Sequence, residues 1–374
     1  MSEEDGLGGT GLTTELVELG MREAFPEQEL SLLGVEAEPV GVGKGFLSKI
    51  LRLELNWAPE AGSEVPRRVV AKVPRPEGLQ MFLAAFPEEE REMFCGYLPQ
   101  LHSQEVRIFN FFRDHPPSFP VPVTYKAVEM NEDGFGYILM EDLSEQAMTR
   151  GIEERFSLAQ AEAVLDAIAA VHALAFQHPE LLEQFQVPEG FLESMDKLAT
   201  EDGFQQLVQM KPDYFAGLED KIQPCNWAAC KAVLERLRTE IGLPDVLNHG
   251  DIHVNNILFD QQEPDRLLAL IDWQLVGANP PLADLTRLML CLSTEDRRAH
   301  LDRLLARYHQ HLKPFAPPQF TLEKLKEGWK MMWPLQASIA ANMTAPVLKS
   351  PAFADKPEFI QSSLDLVRAM LEEI

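Results

Sequence analysis

VLNHGDIHVNNILFD, residues 246–260, places histidines, aspartates and asparagines between two short apolar runs. Val246 and Leu247 precede the polar residues and Ile257, Leu258 and Phe259 follow them, so the stretch reads as strand, loop, strand. A loop held at both ends by core strands is a rigid platform for chemistry. Asp251 and Asn256 lie five residues apart on it, and LLALIDWQ, residues 267–274, delivers Asp272 at the end of a further apolar strand. Adjacent strands then bring an Asp and an Asn from one and an Asp from the other to one point. Hard oxygens with few carboxylates suit Mg²⁺, which keeps several waters and takes other ligands from phosphates. On that reading Asn256 and Asp272 hold the metal. Asp251 is left to accept the proton of an attacking hydroxyl.

The chain around this loop has 374 residues, enough for two lobes. Apolar residues make up 45% and charged residues 25%, the balance of a globular protein. Asp and Glu outnumber Lys and Arg by 59 to 33, a net charge of −26 that repels nucleic acid and anionic membrane, so neither is expected as a partner. No run of 18 apolar residues predicts a membrane span. Cys95, Cys225, Cys230 and Cys291 lack paired spacing, which argues against a zinc site or disulfide framework and for a cytoplasmic protein. The opening MSEEDGLGGTG has no apolar core of a signal peptide and reads, through residue 12, as a flexible end.

A helix is expected near residues 12–24, followed by a hairpin of two strands in GVGKGFLSKILRLELNW and RRVVAKVP, separated by the turn APEAGSEVP. Leu98, Leu101, Ile108, Phe109 and Phe112 recur at helical spacing. VTYKAVEM and GYILMEDL are two more strands, and Ser157 with Gln160 forms a capping box that opens a long helix. Residues 178–245 are helical and irregular, and helices return after residue 272. Residues 13–140 therefore form a small β-rich lobe and residues 141–374 a larger, mainly helical one: an α+β, two-lobed architecture.

Lys72 sits inside the apolar strand VVAKVP, where its ammonium suits the α- and β-phosphates of a nucleotide. A buried cation needs a partner. Glu105 shares a helix face with Leu101, Ile108 and Phe109, whereas Glu88, Glu89, Glu90 and Glu92 lie in a charge run that reads as surface. The glycines of GVGKGFLS, Gly43 among them, let backbone approach phosphate, and Lys44 steadies it at the mouth. Neither a protein-kinase glycine loop nor a Walker A pattern is present. His249 reads as a loop brace, His172 as core packing, and Asp284 as a support that caps a helix and holds the loop from behind. His253 stays open between loop packing and the substrate mouth.

Asp251, Asn256 and Asp272 in this arrangement resemble the catalytic loop and metal Asp of the protein-kinase-like fold. The His-Gly-Asp form resembles its small-molecule branch of aminoglycoside phosphotransferases and choline kinases. LNHGDIHVNNILFD with ALIDWQLVGANPPLADLTRLM resembles the ecdysteroid kinase-like, or CHK-kinase-like, family, over roughly residues 35–345. The resemblance implies an ATP- and Mg²⁺-dependent small-molecule kinase. It implies a phosphate-loop serine at Ser48, and an adenine edge met by backbone of Glu141 and Leu143 with Met140 behind it. The acceptor is a small molecule bearing a hydroxyl, and no obligate protein partner is evident. His-Arg-Asp, Asp-Phe-Gly and Ala-Pro-Glu segments are absent, which disfavours protein substrates. A pseudokinase-like binding module and an enzyme acting on cationic drugs are the competing readings.

Overall fold

The computed structural model describes residues 6–40, 47–77, 87–148, 154–194, 196, 202–349 and 356–374. The chain divides into two compact units. The first comprises Met1–Pro117, Val121–Ala147 and Asp272–Gln274, and the second Ser118–Pro120, Met148–Ile271 and Leu275–Ile374.

The first unit is built on five antiparallel strands in the order β1-β2-β3-β5-β4: β1 (Leu32–Val40), β2 (Ser48–Trp57), β3 (Arg68–Pro74), β4 (Thr124–Val128) and β5 (Tyr137–Glu141). Helix α1 (Thr14–Ala24) packs against β1 and β4, and α2 (Glu88–Gly96) precedes α3 (Leu98–Asp114), which packs against β3 and β4. Strand parity decides what each face carries. Leu51, Leu53, Leu55 and Trp57 of β2 join Val69, Ala71 and Val73 of β3 and Val17 and Met21 of α1 in one core. Lys72, between Ala71 and Val73, points to the opposite face. Its register partner there is Ile138 of β5.

Three expectations change. Residues 6–12 are tied down rather than loose: Leu7 N–H donates to Leu12 O at 2.7 Å, Thr10 Oγ donates to Leu7 O at 2.7 Å, and Leu12 is fully buried in the sheet core. Strand β1 went unread because Gly34, Pro39 and alternating glutamates blur its period. A boundary after residue 140 falls inside β5, whose pairing with β3 runs on to Val69–Glu141. Beyond it, Arg52 Nε meets Asp142 Oδ2 at 3.1 Å and Arg52 Nη2 donates to Ser144 Oγ at 2.8 Å, keeping this segment with the sheet.

The second unit opens with α4 (Leu158–Gln177), whose capping box at Ser157 and Gln160 is complete. This helix is long and apolar enough to cross a membrane by length and composition, although polar residues interrupt it and no unbroken run of 18 apolar residues marks it in the sequence. Two-thirds of its apolar window is buried, however, and it packs on β6 (Val246–Asn248) and a later helix, as a core helix does. Short helices α5 (Leu181–Gln184), α6 (Glu189–Ser194), α7 (Gly203–Met210), α8 (Pro212–Phe215) and α9 (Trp227–Arg236) fill the irregular region. Strand β6 pairs with β9 (Gly277–Asn279), and β7 (Ile257–Phe259) pairs with β8 (Leu267–Leu270), so the two strands flanking the polar loop belong to different ribbons. Helices α10 (Leu282–Leu290), α11 (Thr294–Leu312), α12 (Leu322–Lys349) and α13 (Pro357–Glu372) complete the unit, with α11 the partner of α4.

Candidate functional site

In the first unit, the Lys72 ammonium lies 2.7 Å from Glu105 Oε2, 2.8 Å from Glu105 Oε1 and 3.0 Å from Asp272 Oδ1. Glu105 comes from the buried face of α3 and also accepts the Trp273 N–H at 3.2 Å. Burial alone would depress the Lys72 ammonium, but the charges of Asp272 and Glu105 more than offset it and hold its pKa above the ordinary value. Burial raises the Glu105 carboxyl, and the like charge of Asp272 adds to the rise against the pull of Lys72. Two carboxylates thus share one cation. Asp272, with 37% of its side chain exposed, is the one that faces solvent. Its backbone has φ 66°, making it the only non-glycine residue with positive φ among the described residues. An aspartate tolerates that region better than most residues. Such strain is concentrated at functional sites.

In the second unit the polar loop is clamped from below. Asp284, fully buried on α10, accepts the His249 N–H at 2.7 Å on Oδ2 and the Gly250 N–H at 3.0 Å on Oδ1. Its Oδ2 is also 3.3 Å from His172 Nε2, whose Nδ1 is 2.7 Å from the Tyr308 hydroxyl. Asp284 therefore holds the loop, as its sequence position implied, but it does not cap α10, whose N-cap is Pro281. His172 is buried as its helix face implied, and it is also a hydrogen-bonded strut between α4, α10 and α11. Burial would raise the Asp284 carboxyl, but hydrogen bonding to His172 and the neighbouring histidines bring it below its ordinary value. His249 donates from Nε2 to Ile271 O at 3.0 Å and accepts the Asp251 N–H at 3.3 Å, the bonds of a brace. Gly250 has φ 83°, and a Cβ there would meet Leu275 O at 2.0 Å. Only glycine fits.

Asp251, one-third exposed, presents its carboxylate above this platform. Asn256 Nδ2 donates to Asp251 Oδ2 and to Asp251 O, each at 3.0 Å. His253 Nε2 lies 3.4 Å from the same Oδ2, and its Nδ1 accepts the Asn255 N–H at 3.2 Å. Arg287 Nη1 lies 3.3 Å from Oδ1 and also donates to Gly250 O. Burial pushes the Asp251 carboxyl up, but the His253 hydrogen bond and the charges of His253 and Arg287 outweigh it and bring the pKa down to about 2. Asp251 is an anion at every physiological pH. Because Asn256 commits its amide hydrogens to Asp251, its Oδ1 is the atom left to act as a ligand. The β7–β8 register sets Asn256 against Ile271, whose N–H it accepts at 3.0 Å, one residue before Asp272.

The remaining sequence-derived positions are placed as follows. Gly43 and Lys44 lie outside the described residues. Ser48 opens β2 opposite Pro74, and its buried Oγ has no hydrogen-bond partner among the described residues. Met140 is buried on β5, and Glu141 ends that strand with its N–H donated to Val123 O at 2.8 Å. Leu143 is buried, and its carbonyl accepts from Gln146 and Ala147. Sequence reading missed Arg287, Tyr308 and the Arg52–Asp142 contact. Arg287 alone offered a local signal, as the one cation on a helix that is otherwise apolar apart from Asp284 and Thr286.

The family model DUF1679, described as "Uncharacterized oxidoreductase dhs-27", matches residues 1–374. An uncharacterised kinase-like protein of Caenorhabditis elegans is 23% identical over 311 residues, covering 81% of each chain. Among solved structures, a putative aminoglycoside phosphotransferase from Ralstonia eutropha JMP134 superposes with a TM-score of 0.50 at 16% identity, covering 96% of this chain and 97% of its own. The fold is therefore the α+β, two-lobed fold of kinase-like phosphotransferases.

Proposed function

The chain belongs to the DUF1679 family, and on that premise we propose that it is an ATP- and Mg²⁺-dependent phosphotransferase acting on a hydroxyl of a small molecule. The observation that carries the reading is the buried Lys72 ammonium held by Glu105 and Asp272. A buried ion pair is costly to desolvate and contributes little net stability, so its presence calls for a use. Positioning a cation for nucleotide phosphates is such a use. The loop residues further align the chain with the ecdysteroid kinase-like, or CHK-kinase-like, family. In this proposal the first unit, with Glu141, Leu143 and Asp272, serves the nucleotide and the second unit the acceptor. Free thiols at all four cysteines agree with a cytoplasmic setting.

The donor set fits magnesium. Asn256 Oδ1 and the Asp272 carboxylate are assigned to it, because magnesium takes few protein oxygens and fills the rest of its shell with water and phosphate. When bound, the ion neutralises charge on the β- and γ-phosphates. Lys72 steadies the α- and β-phosphates, and Glu105 keeps Lys72 in place. Glu141 N–H and the Leu143 carbonyl are already bonded, so the Glu141 carbonyl and Leu143 N–H are assigned to the adenine edge, with Met140 behind. Gly43, Lys44 and Ser48 are assigned to the phosphate loop.

Asp251 Oδ2 is occupied by Asn256 and His253, so the acceptor hydroxyl is assigned to Oδ1. Its oxygen forms a bond to the γ-phosphorus as the bond to the β–γ bridging oxygen breaks, releasing ADP. The hydroxyl proton passes to Asp251 and then to water. A carboxyl at about 2 is a weak base. That suits a loose phosphoryl-transfer transition state, which needs orientation more than early deprotonation.

The family description names an oxidoreductase. Residues 6–11, GLGGTG, have the spacing of a dinucleotide fingerprint, but that motif works in a parallel βαβ unit, and the sheet beside it is antiparallel throughout. The test is calorimetric binding of Mg-ATP to the full chain, with transfer of labelled γ-phosphate to a pool of sterols, amino alcohols, aminoglycosides, macrolides, sugars, hydroxycarboxylates and glycerol monophosphate. Binding with product that is lost in Asp251→Asn supports the kinase. Binding without any product favours a pseudokinase-like module, and absence of Mg-ATP binding refutes the assignment.

A further inference from the structure

We infer that Arg287 reads an oxyanion carried by the acceptor, so that the phosphorylated hydroxyl belongs to an anionic small molecule. The inference rests on the kinase reading and deepens it. Arg287 projects from α10 with 40% of its side chain exposed. Its Nη1 makes both of its contacts, to Gly250 O and to Asp251 Oδ1. Its Nε and Nη2 make no hydrogen bond among the described residues. One end of the guanidinium is thus pinned to the catalytic loop, while the edge that binds carboxylate or phosphate through two parallel N–H bonds is open.

The position of that edge gives it meaning. Asp251 Oδ2 is taken by Asn256 and His253, and Oδ1 is the oxygen beside Arg287. A hydroxyl brought to Oδ1 has its neighbouring substituent a few bonds away, within reach of the open guanidinium edge. An oxyanion there gains a charge-assisted, bidentate contact. A neutral group gains nothing comparable, and a cationic group meets a like charge. The net charge of −26 favours cations at long range, but at physiological ionic strength exposed charges beyond about 8 Å are largely screened. Contact chemistry decides.

A lysine at this position would keep the charge and lose the fork, so the two variants Arg287→Gln and Arg287→Lys separate charge from geometry. The probes are a graded series of straight-chain hydroxycarboxylates with their matched carboxamides, glycerol monophosphate beside glycerol, and choline. Each is offered with labelled Mg-ATP to the full-length chain, after circular dichroism confirms the fold of each variant. The expected result is faster labelling of the carboxylates, or of the monophosphate, than of their neutral counterparts and choline. The preference should be about ten- to a hundredfold, the worth of a charge-assisted hydrogen bond. Carboxylate against monophosphate then identifies which oxyanion is read. Arg287→Gln should erase the preference mainly through the acceptor KM, and Arg287→Lys should retain part of it. Preference for choline or the amides overturns the inference. So does an acid preference that survives Arg287→Gln, or labelling of no anionic probe while Mg-ATP binds. Loss of Mg-ATP binding in the wild type instead overturns the kinase reading, and this inference with it.

Discussion

Replacing Asp284 by asparagine keeps the shape of the side chain and removes one acceptor oxygen. Three donors converge on the carboxylate: Gly250 N–H on Oδ1, and His249 N–H with His172 Nε2 on Oδ2. If the amide oxygen takes the Oδ1 place, the NH₂ faces two donors. If it takes the Oδ2 place, the NH₂ faces only the Gly250 N–H. The second orientation wins, and it leaves one buried donor orphaned and two bonds without a charged acceptor. An orphaned buried donor costs about 1–3 kcal/mol and bonds to a charged group are worth about 1.5–3 kcal/mol, so a loss of about 2–4 kcal/mol follows. Asp284→Ala, which strands all three donors, should cost more. Because the chain has two units, the assay is amide hydrogen exchange on peptides spanning residues 246–260, read against a peptide of β2 as an internal standard. Protection should fall in the loop and β6 and hold in β2. A loss below about 1 kcal/mol, or equal losses for Asn and Ala, would refute the view that the carboxylate anchors this loop.

Lys72→Met leaves buried Glu105 without its cation, at a cost of about 3–5 kcal/mol. Glu105 already has a raised folded pKa, and a raised carboxyl gives stability below its unfolded value that is lost as pH rises. The variant should therefore lose more stability at pH 8 than at pH 5 in urea titrations, and Glu105→Leu should restore part of it. Asp251, depressed to about 2, behaves oppositely: its contribution persists above the unfolded value and disappears only as pH falls toward 2. A pH profile of kcat/KM should then show no acid limb from Asp251 between about pH 4 and 8. Gly250→Ala, forced into positive φ against Leu275 O, should lower the melting temperature and cost well over about 1 kcal/mol.

Much of the site was legible because its signals are local. Asp251 and Asn256 share one loop, Lys72 follows strand parity, and Glu105 follows helical spacing. What stayed hidden depends on contacts across the chain. His172 meets Asp284 from 112 residues away, and Arg287 meets Asp251 from 36. No period in the sequence records such pairs, so His172 read as packing and Arg287 went unnoticed. Residues 178–245 resisted for another reason: α5, α6 and α8 are four to six residues long, too short for a 3.6-residue period to declare itself. Strand β1 has Leu33 exposed at one end and Pro39 at the other, as an edge strand allows.

Trp273 is fully buried, its ring 5.0 Å from that of Phe112, and it belongs to the same unit as the five-stranded sheet. All five strands have been translated by Ala147, yet the indole that packs on Phe112 of α3 and the Asp272 carboxylate beside Lys72 follow only after about 125 more residues. At about 5–20 residues per second, that interval is on the order of ten seconds. A nascent chain waiting through it carries an unsealed aromatic surface and an ammonium with one of its two counter-charges missing. Ribosome-stalled chains ending before and after Gln274 should therefore differ in protease resistance across residues 98–114, and vectorial synthesis itself delays the moment at which the first unit is complete.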